Sequence, residues 1–225
     1  MNNLQNNLIS KYYTSLSETG QVLFLCTGFS LGLQFFRMIY TGQWLFVFLI
    51  WNLFLAWIPL LISSKLQLYQ PKNRILFIVV FLSWLAFVPN SFYIITDLFH
   101  LDMNEKVPLW YDLALLLSFA WNGLLLGIVS IRQMQLLLEN FLNRKLGLFF
   151  LLPVMALNGL GIYIGRYLRF NSWDILTNPL QLAQDIIYLF IHPLRNRFDW
   201  SMIICYTLLL TLIYLAIKKL GRSFT

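Results

Sequence analysis

The chain has 225 residues, is 59% hydrophobic and only 11% charged, and has a mean hydropathy of +0.69. Soluble domains carry about 25% charged residues, so a soluble fold, or a separate soluble domain beside a membrane one, is excluded. The net charge of +7 comes from basic residues scattered at the ends of apolar runs, which argues against a nucleic-acid surface.

Residues 1–19 are polar and Asn-rich and read as a short interfacial or frayed segment. They lack a basic n-region and a small-residue cleavage site, so no signal peptide is expected. Residues 20–220 read as one transmembrane domain with spans at about 21–40, 43–62, 75–99, 109–131, 148–168 and 201–217. The expected fold is therefore all-α: a polytopic transmembrane helical bundle of about six spans in a lipid bilayer. Arg37, near the end of the first span, is expected to snorkel. Asn52, Asn122 and Asn158 sit deep and read as interhelical hydrogen-bonding glue. Cys26 and Cys205 lie in apolar runs without a CxxC pattern and read as buried small hydrophobes.

The third span is apolar from Ile75 to Val88 and then meets Pro89-Asn90. Fourteen residues rise only about 21 Å, so the segment must continue past the proline with a kink or break. Proline frees a carbonyl one turn earlier, and such a break should face protein or water. Between the last two spans, Asn178-Pro179 is a helix start. From there Gln181, Gln184, Asp185, Tyr188 and His192 form a polar face opposite Leu182, Ile186, Leu189 and Phe190. This predicts an amphipathic helix over about 179–192, interfacial or re-entrant.

Six spans put both termini on one side. That side holds ten of the sixteen basic residues and only Glu18 and Glu139 among the acids. The excess of Lys and Arg there places both termini in the cytoplasm. The other, outer side carries the stretch PNSFYIITDLFHLDMNEKVPLWYD at Pro89–Asp112, with four of the nine acids and one of the two histidines. On a helix, Asn90, Tyr93, Asp97 and His100 fall within an arc of roughly 80°. A polar stripe on a greasy segment beside a bilayer is a site hypothesis. On the fifth span, Asn158, Gly161, Gly165 and Arg169 share a stripe whose small residues let another backbone come close. The third span is the expected neighbour, and the stripe would deliver Arg169 to the outer surface.

Each feature has a plainer reading. Asp97 with Arg166 or Arg169 stands equally as a structural ion pair pinning helix ends. Asp97 and His100 at i, i+3 are candidate ligands for a divalent metal, with Asp112 or His192 completing the set; the sequence otherwise leaves the cofactor open. Walker, HExxH, GxSxG and dinucleotide motifs are absent, which leaves ATP-driven pumping and the common intramembrane protease chemistries unsupported.

The motifs PN-x-x-Y-x-x-T-D-x-x-H-L at Pro89–Leu101, W-Y-D at Trp110–Asp112 and G-I-Y-x-G-R-x-x-R-x-N-S-W-D at Gly161–Asp174, with LSFAWNGLLLG at Leu117–Gly127, together resemble a bacterial membrane-protein family catalogued as domain of unknown function 1361. The similarity covers most of the chain, from the first or second span to the sixth. It implies a multi-pass protein of the bacterial cytoplasmic membrane and brings no activity with it. The family's recurring polar positions fall on Asn90, Tyr93, Asp97, His100, Asp112, Arg166, Arg169, Asn171, Trp173 and Asp174.

Three functional readings follow. The first is a membrane-embedded enzyme or binding protein whose outward-facing pocket takes an anionic, lipid-linked or amphipathic substrate. In it Arg166 and Arg169 hold phosphate or carboxylate. Asp97 and His100 act as an acid–base pair with Asp112 orienting the imidazole, and Asn90, Tyr93, Asn171, Trp173 and Asp174 complete the substrate site. The second is a transporter or channel for a small ion or solute, with the Pro89-Asn90 break in its binding site; against it, the cytoplasmic half offers only amides and small hydroxyls, an objection that an oligomeric pore would escape. The third is a non-catalytic accessory subunit of a membrane complex. The oligomeric state is left open by the sequence.

Overall fold

The computed structural model describes residues 2–69, 73–101, 106–170 and 177–223. Among them are seven α-helices: α1 (Asn2–Thr41), α2 (Phe48–Tyr69), α3 (Arg74–Tyr93), α4 (Leu109–Leu142), α5 (Gly147–Arg166), α6 (Pro179–Ile191) and α7 (Arg197–Ser223), with a 3-10 helix (Ile94–His100) continuing α3. Six stretches are long and apolar enough to cross a membrane: Glu18–Thr41, Phe48–Tyr69, Arg74–His100, Leu109–Leu142, Gly147–Arg166 and Arg197–Gly221. The molecule is a multi-pass helical membrane protein. Residues 2–19, expected to be a separate frayed segment, belong to α1.

Helix α4 is the centre of the bundle. It packs against α1, α2, α3 and the 3-10 segment, while α3 also packs on α5, and α5 on α7. Two glycines explain the α3–α4 approach. A Cβ on Gly123 would lie 2.6 Å from the Ser91 carbonyl oxygen, and one on Gly127 2.7 Å from the Phe92 ring. The absent side chains let the two backbones close to a distance that larger residues forbid.

The expected interruption at Pro89 takes a specific form. Helix α3 runs through the proline and tightens into a 3-10 helix at Ile94. Ser91 Oγ in this stretch donates to the Ala56 carbonyl of α2 at 3.0 Å. The stretch thus lies against protein, as an irregular membrane backbone must.

Helices α2 and α4 run further than hydropathy indicates, to Tyr69 and Leu142. Polar residues that lower the hydropathy there bond to one another across the helices. Trp84 Nε1 donates to Ser130 Oγ at 2.8 Å, Ser130 Oγ lies 3.1 Å from Ser63 Oγ, and Ser63 Oγ donates to Gln133 Oε1 at 2.6 Å. All four residues are buried.

Other residue readings change with the fold. Arg37 does not snorkel; it is 1% exposed and inside the bundle. Asn122 does bond across helices, to Thr27 Oγ1 at 3.0 Å, but Asn158 bonds one turn back to the Val154 carbonyl at 2.7 Å. Cys205 is exposed on α7 rather than buried, and Cys26 is half-buried.

Candidate functional site

A cavity of about 760 Å³ lies between α2, α3, α5 and α6. The end of α3 brings Asn90 and Tyr93 to it, and the 3-10 turn brings Asp97 and His100. In a 3-10 helix residues i and i+3 eclipse, so the tightening at Ile94 places His100 directly over Asp97. The opposite side of the same stretch is packed: Phe92 and Ile94 are fully buried. One wall is α5, where the small-residue stripe meets α3 as expected. A Cβ on Gly161 would fall 2.5 Å from Pro89 Cβ, and one on Gly165 2.8 Å from the Tyr93 ring.

Asp97 is 1% exposed, and Asn52 Nδ2 of α2 donates to its Oδ2 at 2.9 Å. His100 Nδ1 lies 3.2 Å from the Asp97 carbonyl oxygen and 3.9 Å from Asp97 Oδ1. A contact between Nδ1 and a carbonyl calls for a proton on Nδ1, which leaves Nε2 as the basic atom in the neutral ring. The imidazole also rests on Phe48, with ring centroids 4.9 Å apart. The pair therefore presents one carboxylate oxygen without a short contact and one basic nitrogen, suited to accepting or returning a proton.

Arg166, the last residue of α5, brings a guanidinium to the cavity, held over the Phe99 ring at 5.2 Å. Among the described residues it makes no salt bridge, so its fork remains available to an oxyanion. The aliphatic lining comes from α2, α3, α5 and, through Leu182 and Ile186, α6. Helix α6 has the expected amphipathic arrangement. Its Leu189 is 2% exposed, although Asn178 makes no side-chain cap.

Two expected site residues are elsewhere. Asp112 does not orient His100: Arg37 Nε and Nη2 hold its two carboxylate oxygens at 2.7 and 2.9 Å. The Phe46 ring lies 4.7 Å from that guanidinium. Arg169 does not line the cavity either. Helix α5 ends at Arg166, and Arg169 takes a left-handed backbone, φ 58°, with its side chain exposed. The helical stripe expected to deliver it to the outer surface beside α3 ends before reaching it. Asn171, Trp173 and Asp174 lie outside the described residues. His192 packs on Tyr188, ring centroids 4.8 Å apart, away from the cavity lining. Asp112 is engaged by Arg37, and among the described residues no group of three or more His, Cys, Asp or Glu forms.

Asn52 does bond across helices, as the sequence reading of it as interhelical glue expects, but to Asp97; its place beside the site is what sequence reasoning misses. A second span starting at residue 43 puts it mid-membrane, but α2 starts at Phe48, which moves Asn52 toward the end of the bundle where Asp97 lies. A polar residue in the first turns of a span, facing a helix that carries an unpaired acid, is the signal that would find it.

A family model described as "Protein of unknown function (DUF1361)" matches residues 51–213. Neither a curated protein nor a solved structure matches the chain.

Proposed function

The chain belongs to this family of proteins of unknown function, and from the geometry of the cavity we propose that it is a membrane-embedded enzyme or binding protein for an anionic amphipathic, lipid-linked molecule. The observation that carries the reading is the grouping of Asp97, His100 and Arg166 in one cavity whose other walls are largely aliphatic. A volume of about 760 Å³ suits a small-molecule site. Arg166 holds the phosphate or carboxylate, Asp97 and His100 move a proton, and Asn52 fixes the Asp97 carboxylate. Asn90 and Tyr93 contact the ligand beside them.

The charge distribution supports a bacterial cytoplasmic membrane orientation with both termini inside, the cavity then opening toward the outer leaflet. Against a path through the molecule stands the packing on another face of α3, where fully buried Trp84 is bonded into the Ser130–Ser63–Gln133 cluster.

The test is lipid analysis of protein purified in nanodiscs from its native membrane. The intact protein retains an anionic amphiphile that Arg166→Gln loses. Asp97→Asn keeps that amphiphile, and if the protein is an enzyme, stops its conversion. Equal lipid content in the intact protein and Arg166→Gln overturns the reading.

A further inference from the structure

One face of α3 joins the cavity to the outside of the bundle. Ile75, Ile78, Val79 and Leu82 are spaced three and four apart and are 73%, 54%, 54% and 56% exposed. They form a lipid-facing stripe. The same spacing continues through Ala86, Pro89, Asn90 and Tyr93, which line the cavity together with Leu82. Leu82 thus belongs to both surfaces. Across from it on α5, Leu157 lines the cavity and is 43% exposed. The cavity therefore has an aliphatic flank at mid-span depth, facing hydrocarbon, and a polar end at Asp97, His100 and Arg166.

We infer that this cavity is a lateral groove that takes one hydrocarbon chain of an anionic lipid directly from the bilayer. The oxyanion sits at Arg166, the chain lies between α3 and α5 over Ala86, and Leu82, Ala86 and Leu157 set which chains fit. This deepens the reading of the cavity above and rests on it. The dimensions agree. The helical floor from Leu82 to Tyr93 rises about 16 Å, close to half of the roughly 30 Å hydrocarbon core, the depth of one leaflet. The charge agrees too: among the described residues lining the cavity Arg166 is the one Lys or Arg, at the end opposite Leu82. A second copy of the chain seated in the groove would bring only aliphatic groups to Leu82 and leave that guanidinium unmet, whereas an anionic lipid serves both ends.

The experiment uses the full chain in phosphatidylcholine vesicles doped with a phosphatidic acid carrying a diazirine in one chain. Adducts are mapped by peptide mass spectrometry. In parallel, soluble butyl phosphate is tested for protection of Arg166 against phenylglyoxal. Adducts are expected to concentrate around Ala86 and Leu157. Ala86→Trp and Leu82→Trp should lower them about tenfold, the effect of withdrawing about two methylenes from the groove. Both variants should leave the butyl phosphate protection unchanged. Leu82 is exposed, so its substitution keeps the test valid if Ala86→Trp fails to fold. Adducts spread evenly over the exposed faces of α1 and α7, or copy-to-copy cross-links through Ala86, overturn the chain seat while protection of Arg166 leaves the site standing. Loss of both adducts and protection in the unaltered protein overturns the site itself.

Discussion

At the scale of single residues, the Arg37–Asp112 pair organises the end of the bundle beside the cavity. Both side chains are out of water, at 0% and 2% exposure. Charges so placed are stable only together, because each would otherwise lose its hydration without compensation. Arg37→Met should therefore cost about 3–5 kcal/mol, the penalty for an orphaned buried carboxylate. Arg37→Met with Asp112→Leu should recover most of the loss. Thermal unfolding in detergent checks both, and equal melting of the single and double variants would refute the pairing as the cause. The same pair shows a limit of reading residues one at a time. Asp112 in the W-Y-D motif looks like a site acid, and Arg37 looks like a helix-end cation. Only the packing of α1 on α4 reveals that each is the other's partner.

At the scale of elements, glycines decide which helices touch. A Cβ on Gly161 meets Pro89, whereas one on Gly28 in α1 meets nothing within 4 Å. Gly161→Ala should push α5 off α3, costing about 1–3 kcal/mol by overpacking, and should distort the cavity wall. Gly28→Ala should be neutral or stabilise by up to about 1 kcal/mol through helix propensity. Melting temperatures of the two variants, measured side by side, check this contrast.

The six spans are legible in the sequence because length and hydropathy are local properties of the chain. So is the α3–α5 contact, since Gly161 and Gly165 lie one turn apart. Asn90, Tyr93, Asp97 and His100 are legible as one stripe, and the switch to 3-10 geometry keeps Asp97 and His100 eclipsed. What escapes is whatever depends on where a helix stops or what faces it. Arg169 is lost because α5 ends at Arg166, and the place of Asn52 beside the site is missed because α2 begins at Phe48. The long ends of α2 and α4 escape because Ser63, Ser130 and Gln133 look polar until they are paired.

At the scale of the whole molecule, the proposed sides of the membrane rest on the distribution of Lys and Arg. Cysteines introduced at Lys65 and Lys106 test them, since these residues sit at opposite ends of the bundle. In intact cells a membrane-impermeant maleimide should label Lys106→Cys and spare Lys65→Cys until the cells are opened. The reverse pattern would turn the cavity toward the cytoplasm and remove the outer-leaflet assignment, leaving its internal geometry untouched.

The knot of Trp84, Ser130, Ser63 and Gln133 has a consequence for traffic. Side chains buried and bonded to one another in this way form a tightly packed layer between α2, α3 and α4. Under the reading proposed above, a guest would therefore trade places with the surrounding lipid rather than travel across that layer.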